Sequence, residues 1–163
     1  MPSSSWSVAP MADASLIGHE SPEGHMPVER GKIAEFARAT FSDRPIFTDP
    51  EAARQAGFRD VPAPPTFVVA SAHFVPSDPG FSAKLDMKRI LAGGAEWEFF
   101  RPLVAGDELT VRSRVVDVET KQGKRGQMTL ITREVSYFDA GGELVQRMRS
   151  TVIEMPPMEA KAP

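Results

Sequence analysis

Two hydrophobic periods divide the chain. Residues 28–40, VERGKIAEFARAT, place Ile33, Phe36, Ala37 and Thr40 at the spacing of one helical face, which predicts a short amphipathic helix. Asp49-Pro50-Glu51 predicts a second helical start: Asp caps, Pro suits the first turn and Glu favours the positive end, with Gly57 as the stop. From Pro64-Pro65 onward, Phe67, Val68, Val69, Ala70, Ala72, Phe74 and Val75 leave almost no polar face. A helix apolar all round must be buried. A buried strand is the rival reading, because Thr66 to Val69 is β-prone; Ala70-Ser71-Ala72 and the stop at Pro76 favour the helix.

From Gly94 the period becomes two. AEWEFF (95–100) alternates, and residues 107–120 set Leu109, Val111, Ser113 and Val115 against Thr110, Arg112 and Arg114. A basic turn, KQGKRG (121–126), leads to QMTLITREVSYF (127–138), and Asp139 to Gly142 makes a hairpin into ELVQRMRSTVIEM (143–155). One shorter strand, three long ones and a wholly apolar helix predict an α+β fold: a curved antiparallel sheet wrapped around a buried central helix.

Composition narrows the function classes. At 163 residues the chain suits a single domain that buries roughly 70% of its unfolded surface. A net charge of −3 argues against nucleic-acid binding or attraction to a membrane through bulk charge. The absence of cysteine excludes disulfides, thiolate metal sites and a Cys nucleophile, and three scattered histidines give no metal-ligand pattern. MPSSSWSVAPM lacks the build of a secretory signal, and no apolar run approaches the ~20 residues that span a bilayer. The expectation is a cytoplasmic domain over 16–155, with a disordered Ser/Pro-rich tail at 1–15 and a short tail at 156–163.

Four stretches carry a resemblance: residues 28–40, PIFTDPEAARQAGFRDVPAPPTF (45–67), EWEFFRPLVAGDELTVRSRVVDV (96–118) and GQMTLITREVSYFDAGGELV (126–145). In order and spacing they resemble the MaoC-like dehydratase/hydratase family, in its N-terminal or FAS1-like dehydratase branch, whose fold is the hot dog. That resemblance implies interconversion of 2-enoyl and (3R)-3-hydroxyacyl thioesters carried on coenzyme A or an acyl carrier protein, without a cofactor. The reaction needs a base for the C2 proton, an acid for the departing hydroxide, donors for the thioester oxygen and an apolar tunnel.

Active members resemble G-D-x-N-P-[LIV]-H-x-D-P at the acid/base loop. Aligned on Pro45, Ile46, Thr48, Asp49 and Pro50, the present chain has Ser42 in the Asp slot and Phe47 in the His slot. The resemblance therefore implies a subunit that shapes the acyl tunnel, paired with a MaoC-like hot dog that supplies Asp and His. Residues expected to meet substrate are Ser42, Phe47, Thr66, Phe67, Phe74 and Trp97, with Thr66 and Phe67 amides facing the thioester oxygen. Asp43 and His73 are the candidates for a recruited acid or base, although a loop cap and a satisfied histidine are the stronger readings. Lys121, Lys124 and Arg125 read first as a solvated turn. Two rival functions stay open: a self-sufficient homodimeric thioesterase, cyclase or tailoring dehydratase, and a hot dog that holds a ligand without chemistry.

Overall fold

The computed structural model describes residues 11–157. Five antiparallel strands form one sheet in the order β1-β3-β4-β5-β2, with β1 at Gly24–Pro27, β2 at Ile90–Phe99, β3 at Glu108–Gly123, β4 at Gly126–Phe138 and β5 at Leu144–Glu154. The helices are α1 (Arg30–Ala39), α2 (Pro50–Gln55) and α3 (Pro79–Ser82), and a 3₁₀ segment runs from Phe67 to His73. This is the α+β hot-dog arrangement expected, built on the alternation described above. Val111, Val115, Ile131, Tyr137 and Val145 point to one face of the sheet and are buried there.

Both expected short helices form. Ile33 and Ala37 are buried on α1, and Asp49 caps α2 by accepting the Glu51 N–H at 2.8 Å. Gly57 follows with φ +91°, the left-handed conformation that glycine adopts without strain.

The central element differs from expectation. It is a 3₁₀ segment rather than an α-helix, and it is not buried all round: Phe67, Val68 and Ser71 face inward, whereas Val69 is 43% exposed and His73 is exposed. Ten residues separate Pro65 from Pro76, two of them adjacent β-branched valines. The paired β-branched valines lower helix propensity there, and the Tyr137 contacts to Val68 and Ser71 hold the tighter turn.

Two strand bounds were also hidden. β2 starts at Ile90, five residues before the expected run, because its Gly93-Gly94 pair sits at a bulge against β5. A Cβ on Gly93 would lie 2.9 Å from the Thr151 carbonyl oxygen, so the alternating pattern is interrupted for a steric reason. β1, only four residues with a proline, offered too little alternation to be legible. The basic turn is shorter than expected: β3 runs to Gly123 and β4 begins at Gly126, leaving Lys124 and Arg125 at the tip.

Residues 1–10 and 158–163, most of the expected tails, lie outside the described residues. The rest of the N-terminal stretch is tied down. Ala12 is buried and its N–H reaches the fully buried Glu154 carboxylate at 2.7 Å, which Arg89 meets from the other side at 3.2 Å. Leu16 joins Phe81, Leu85, Val115 and Ile131 in a second core cluster.

One side chain bolts the 3₁₀ segment to the sheet. Tyr137 is fully buried on β4; its hydroxyl donates to the Val68 carbonyl at 3.2 Å and bonds Ser71 Oγ at 3.1 Å. Burial pushes its pKa up to about 12, the Ser71 hydrogen bond opposing, so the phenol stays protonated. We predict that Tyr137→Phe, which leaves Ser71 and the Val68 carbonyl short of a partner, costs about 1–2 kcal/mol. Thermal melts check this: the midpoint falls by about 2–4 °C per kcal/mol at this size. An unchanged midpoint would contradict it.

Candidate functional site

The loop aligned above with the family's acid/base loop connects α1 to α2. Thr40 closes α1, its hydroxyl donating to the Phe36 carbonyl at 2.8 Å, and the Ser42 N–H reaches back to the Ala37 carbonyl at 2.8 Å. Between them Phe41 has φ +55°, a left-handed conformation unusual for a bulky side chain, and its ring is 92% exposed. Ser42 Oγ lies 3.1 Å from Thr40 Oγ1, so this hydroxyl serves the loop's own structure. Ser42, Asp43 and Thr48 line a shallow cavity of about 380 Å³ beside Phe41.

Phe47 turns the other way. It closes a 3₁₀ turn begun by Pro45 and is buried with Ile33, Ala37, Val61 and Phe67. The position aligned above with the family's imidazole thus carries an apolar ring that packs into the core. Asp43 is exposed on the loop and His73 is exposed at the end of the 3₁₀ segment. The cavity that Asp43 lines does not include His73, so the two candidates do not form a proton-transfer pair there.

The FRPLVAGDELTV stretch proves to be a brace. Asp107 is buried and accepts from Arg59 at 2.6 Å, from Arg101 at 2.8 Å and from the Val104 N–H at 2.9 Å. The Ala63 N–H bonds the Leu103 carbonyl at 2.8 Å and the Ala105 N–H the Val61 carbonyl at 2.9 Å. These bonds lock residues 61–63, and with them the prolines that launch the 3₁₀ segment.

The donors at that launch are fewer than expected. The Phe67 N–H bonds the Pro64 carbonyl at 2.9 Å, which removes it from a thioester oxygen, and Thr66 makes no side-chain cap. Phe67 packs edge to face on Phe36 with ring centroids 5.6 Å apart, as a wall of the core. Phe74 and Trp97 are partly buried against the same cluster. The Trp97 Nε1 and the Gln146 Oε1 are buried without a partner among the described residues, both on the core-facing side of the β2/β5 pair.

The cavity most suited to an acyl group lies under the 3₁₀ segment, between it and the core face of the sheet. It measures about 380 Å³, with Val69, Val75, Val135 and Met148 as apolar walls and Ser71, Ser150 and Arg133 as polar ones. Arg133 is the residue that sequence reasoning missed. Its signal was present: it stands in phase with Ile131, Val135 and Tyr137, on the inward side of β4. Gly24 makes room at one end, since a Cβ there would lie 2.9 Å from the Val75 backbone. Among the described residues no three His, Asp or Glu converge on a metal site, and no helix is long and apolar enough to cross a membrane.

Known proteins resemble the chain along most of its length. The family model described as "FAS1-like, dehydratase domain region" matches residues 15–148. A UPF0336 protein of Clavibacter michiganensis is 37% identical over 150 residues, covering 90% of this chain and 89% of its own. A UPF0336 protein of Streptomyces avermitilis is 40% identical over 116 residues, covering 68% of this chain and 76% of its own. Among solved structures, a chain of the C-terminally truncated HadBC (3R-hydroxyacyl-ACP dehydratase) complex from Mycobacterium tuberculosis superposes with TM-score 0.71 at 28% identity. That match covers 85% of this chain and 96% of that one. A MaoC-like dehydratase superposes with TM-score 0.76 at 29% identity, covering 86% of this chain but 42% of its own.

At the cavity's rim Asp78 accepts from His19 at 2.8 Å and from the Phe81 N–H at 2.9 Å. Burial works hardest against its ionisation. The hydrogen bonds from Ser21, the Phe81 amide and His19 together outweigh that and hold its pKa at about 2. A depressed carboxylate pKa stabilises the fold above the unfolded value near 4, and that contribution disappears as pH falls through about 2. Asp78→Asn should therefore lose about 1–2 kcal/mol at pH 7, with the gap to wild type closing between about pH 4 and 2. Urea unfolding across that range measures it; a gap independent of pH would refute the assignment.

Proposed function

The chain belongs to the FAS1-like dehydratase family, and from that membership we propose that it is the tunnel-forming subunit of an (R)-specific enoyl-thioester hydratase/3-hydroxyacyl-thioester dehydratase. In this reading a MaoC-like hot dog supplies the Asp and His. The substrate is carried as a coenzyme A or acyl-carrier-protein thioester, and no cofactor is needed.

The observation that carries the proposal is the fate of the catalytic slot. Phe47 is buried in the core where a base would stand, and Ser42 is engaged with Thr40, while the cavity under the 3₁₀ segment is retained. The chain has thus kept the means of holding an acyl group and lost the usual means of moving its protons. The HadBC structure, described as a (3R)-hydroxyacyl-ACP dehydratase complex, supports a role as one member of a pair.

The sheet edge fits a pairing surface. Among the described residues β2 bonds only β5, and Leu91, Phe99 and Phe100 are each half exposed along or just after it. An open strand edge with apolar flanks invites a further strand, here that of the catalytic hot dog. The unpartnered Trp97 Nε1, on the same strand, would gain an acceptor from the partner or the substrate.

Enoyl-thioester hydration tests the reading by loss of the conjugated enoyl absorbance. We expect no turnover with the chain alone and clear turnover with a co-expressed MaoC-like chain. Turnover by the chain alone that Asp43→Asn or His73→Ala abolishes would overturn it and establish a self-sufficient enzyme.

A further inference from the structure

Arg133 is placed in an unusual way for a charged side chain. It projects from the core face of β4 into the cavity under the 3₁₀ segment, with its guanidinium 4.7 Å from the centroid of the Phe81 ring. One nitrogen, Nη2, donates to Ser21 Oγ at 2.9 Å and to Ser113 Oγ at 2.8 Å. A guanidinium has five N–H donors. Those on Nη1 and Nε have no partner among the described residues, and no carboxylate there forms an ion pair with Arg133.

The opposite face of the sheet shows the contrast. There Arg112 pairs with Glu23, and Arg114, Arg147 and Arg149 converge on Glu134 at 3.1, 3.8 and 2.8 Å. Asp78 lines the same cavity as Arg133 but is committed to His19 and the Phe81 amide. Burial pushes the Arg133 pKa down, with the Asp78 charge opposing, yet a guanidinium stays charged at neutral pH. A partly desolvated cation with unfilled donors is a poor wall for a plain alkyl chain. It is a good wall for an oxygen.

We propose that this cavity takes acyl groups that carry, beyond C3, a further uncharged oxygen acceptor, a keto or hydroxyl group, with Arg133 as the specificity-determining donor. This deepens the thioester reading and rests on it for the carrier end of the ligand. Asp78 decides between oxygen classes. Its negative charge already balances Arg133 across the cavity, so a carboxylate would meet repulsion that a carbonyl or hydroxyl does not. Ser150, paired with Arg133 across β4 and β5, adds a hydroxyl next to it, beside apolar surface from Val69, Val135 and Met148 for the rest of the chain.

Titration calorimetry on the full chain tests the proposal, using octanoyl-CoA and keto analogues with the oxygen at successive chain positions beyond C3. The expected result is that at least one keto analogue binds about tenfold tighter than octanoyl-CoA, as one charge-assisted hydrogen bond allows. Arg133→Met brings that ratio close to one, and Arg133→Lys retains part of it. Octanoyl-CoA binding as tightly as every keto analogue to the wild type would overturn the proposal, whatever the variants do, and leave the thioester reading intact. If no thioester binds, that reading fails, and octan-2-one decides the cavity by itself. Binding of the ketone that Arg133→Met weakens supports the Arg133 assignment; binding indifferent to Arg133, or none, overturns it.

Discussion

The Tyr137 hydroxyl is the point on which the rest of the structure turns. It reaches from near the end of β4 to the Val68 carbonyl and Ser71 Oγ, and so fixes how far the 3₁₀ segment stands from the sheet. With the hydroxyl satisfied, the segment needs to cover only part of the concave face. The cavity stays open beside it, walled by Val135 and Met148. The Asp107 brace acts on the same element from the other end, holding residues 61–63 against 103–105 before the prolines.

Much of this was legible as period. Alternation exposed β3, β4 and β5, and the 3.6-residue stripe exposed α1, because each buries one face. Legibility failed where local chemistry and tertiary demand diverge. The run from Phe67 to Phe74 reads as a buried helix by composition, yet its flanking prolines and paired valines make it a 3₁₀ segment with Val69 half out. The Gly93-Gly94 pair reads as a break, but it is a steric concession within β2.

The candidate site divides in the same way. The absent imidazole was readable because Phe47 is a matter of identity, and the structure gives that Phe its place in the core. The involvement of Thr66 and Phe67 as donors was not readable, since it depends on whether Pro64 captures the Phe67 amide, which it does. Arg133 passed unnoticed because a charge in a strand is habitually assigned to solvent; its phase with Ile131 and Tyr137 said otherwise.

The central claim is that this chain contributes the acyl tunnel to a reaction whose protons are moved elsewhere. Ser150 lies on the cavity-facing side of β5, and a phenylalanine there would fill the space without touching the Asp43 loop. The direct measurement is kcat/KM for long against short enoyl-thioesters, in the reconstituted pair, for wild type and Ser150→Phe. The account predicts that the long substrate loses at least about tenfold while the short one is nearly unaffected, since only the long chain needs the filled volume. Equal losses on both substrates, or none on either, would place the tunnel elsewhere.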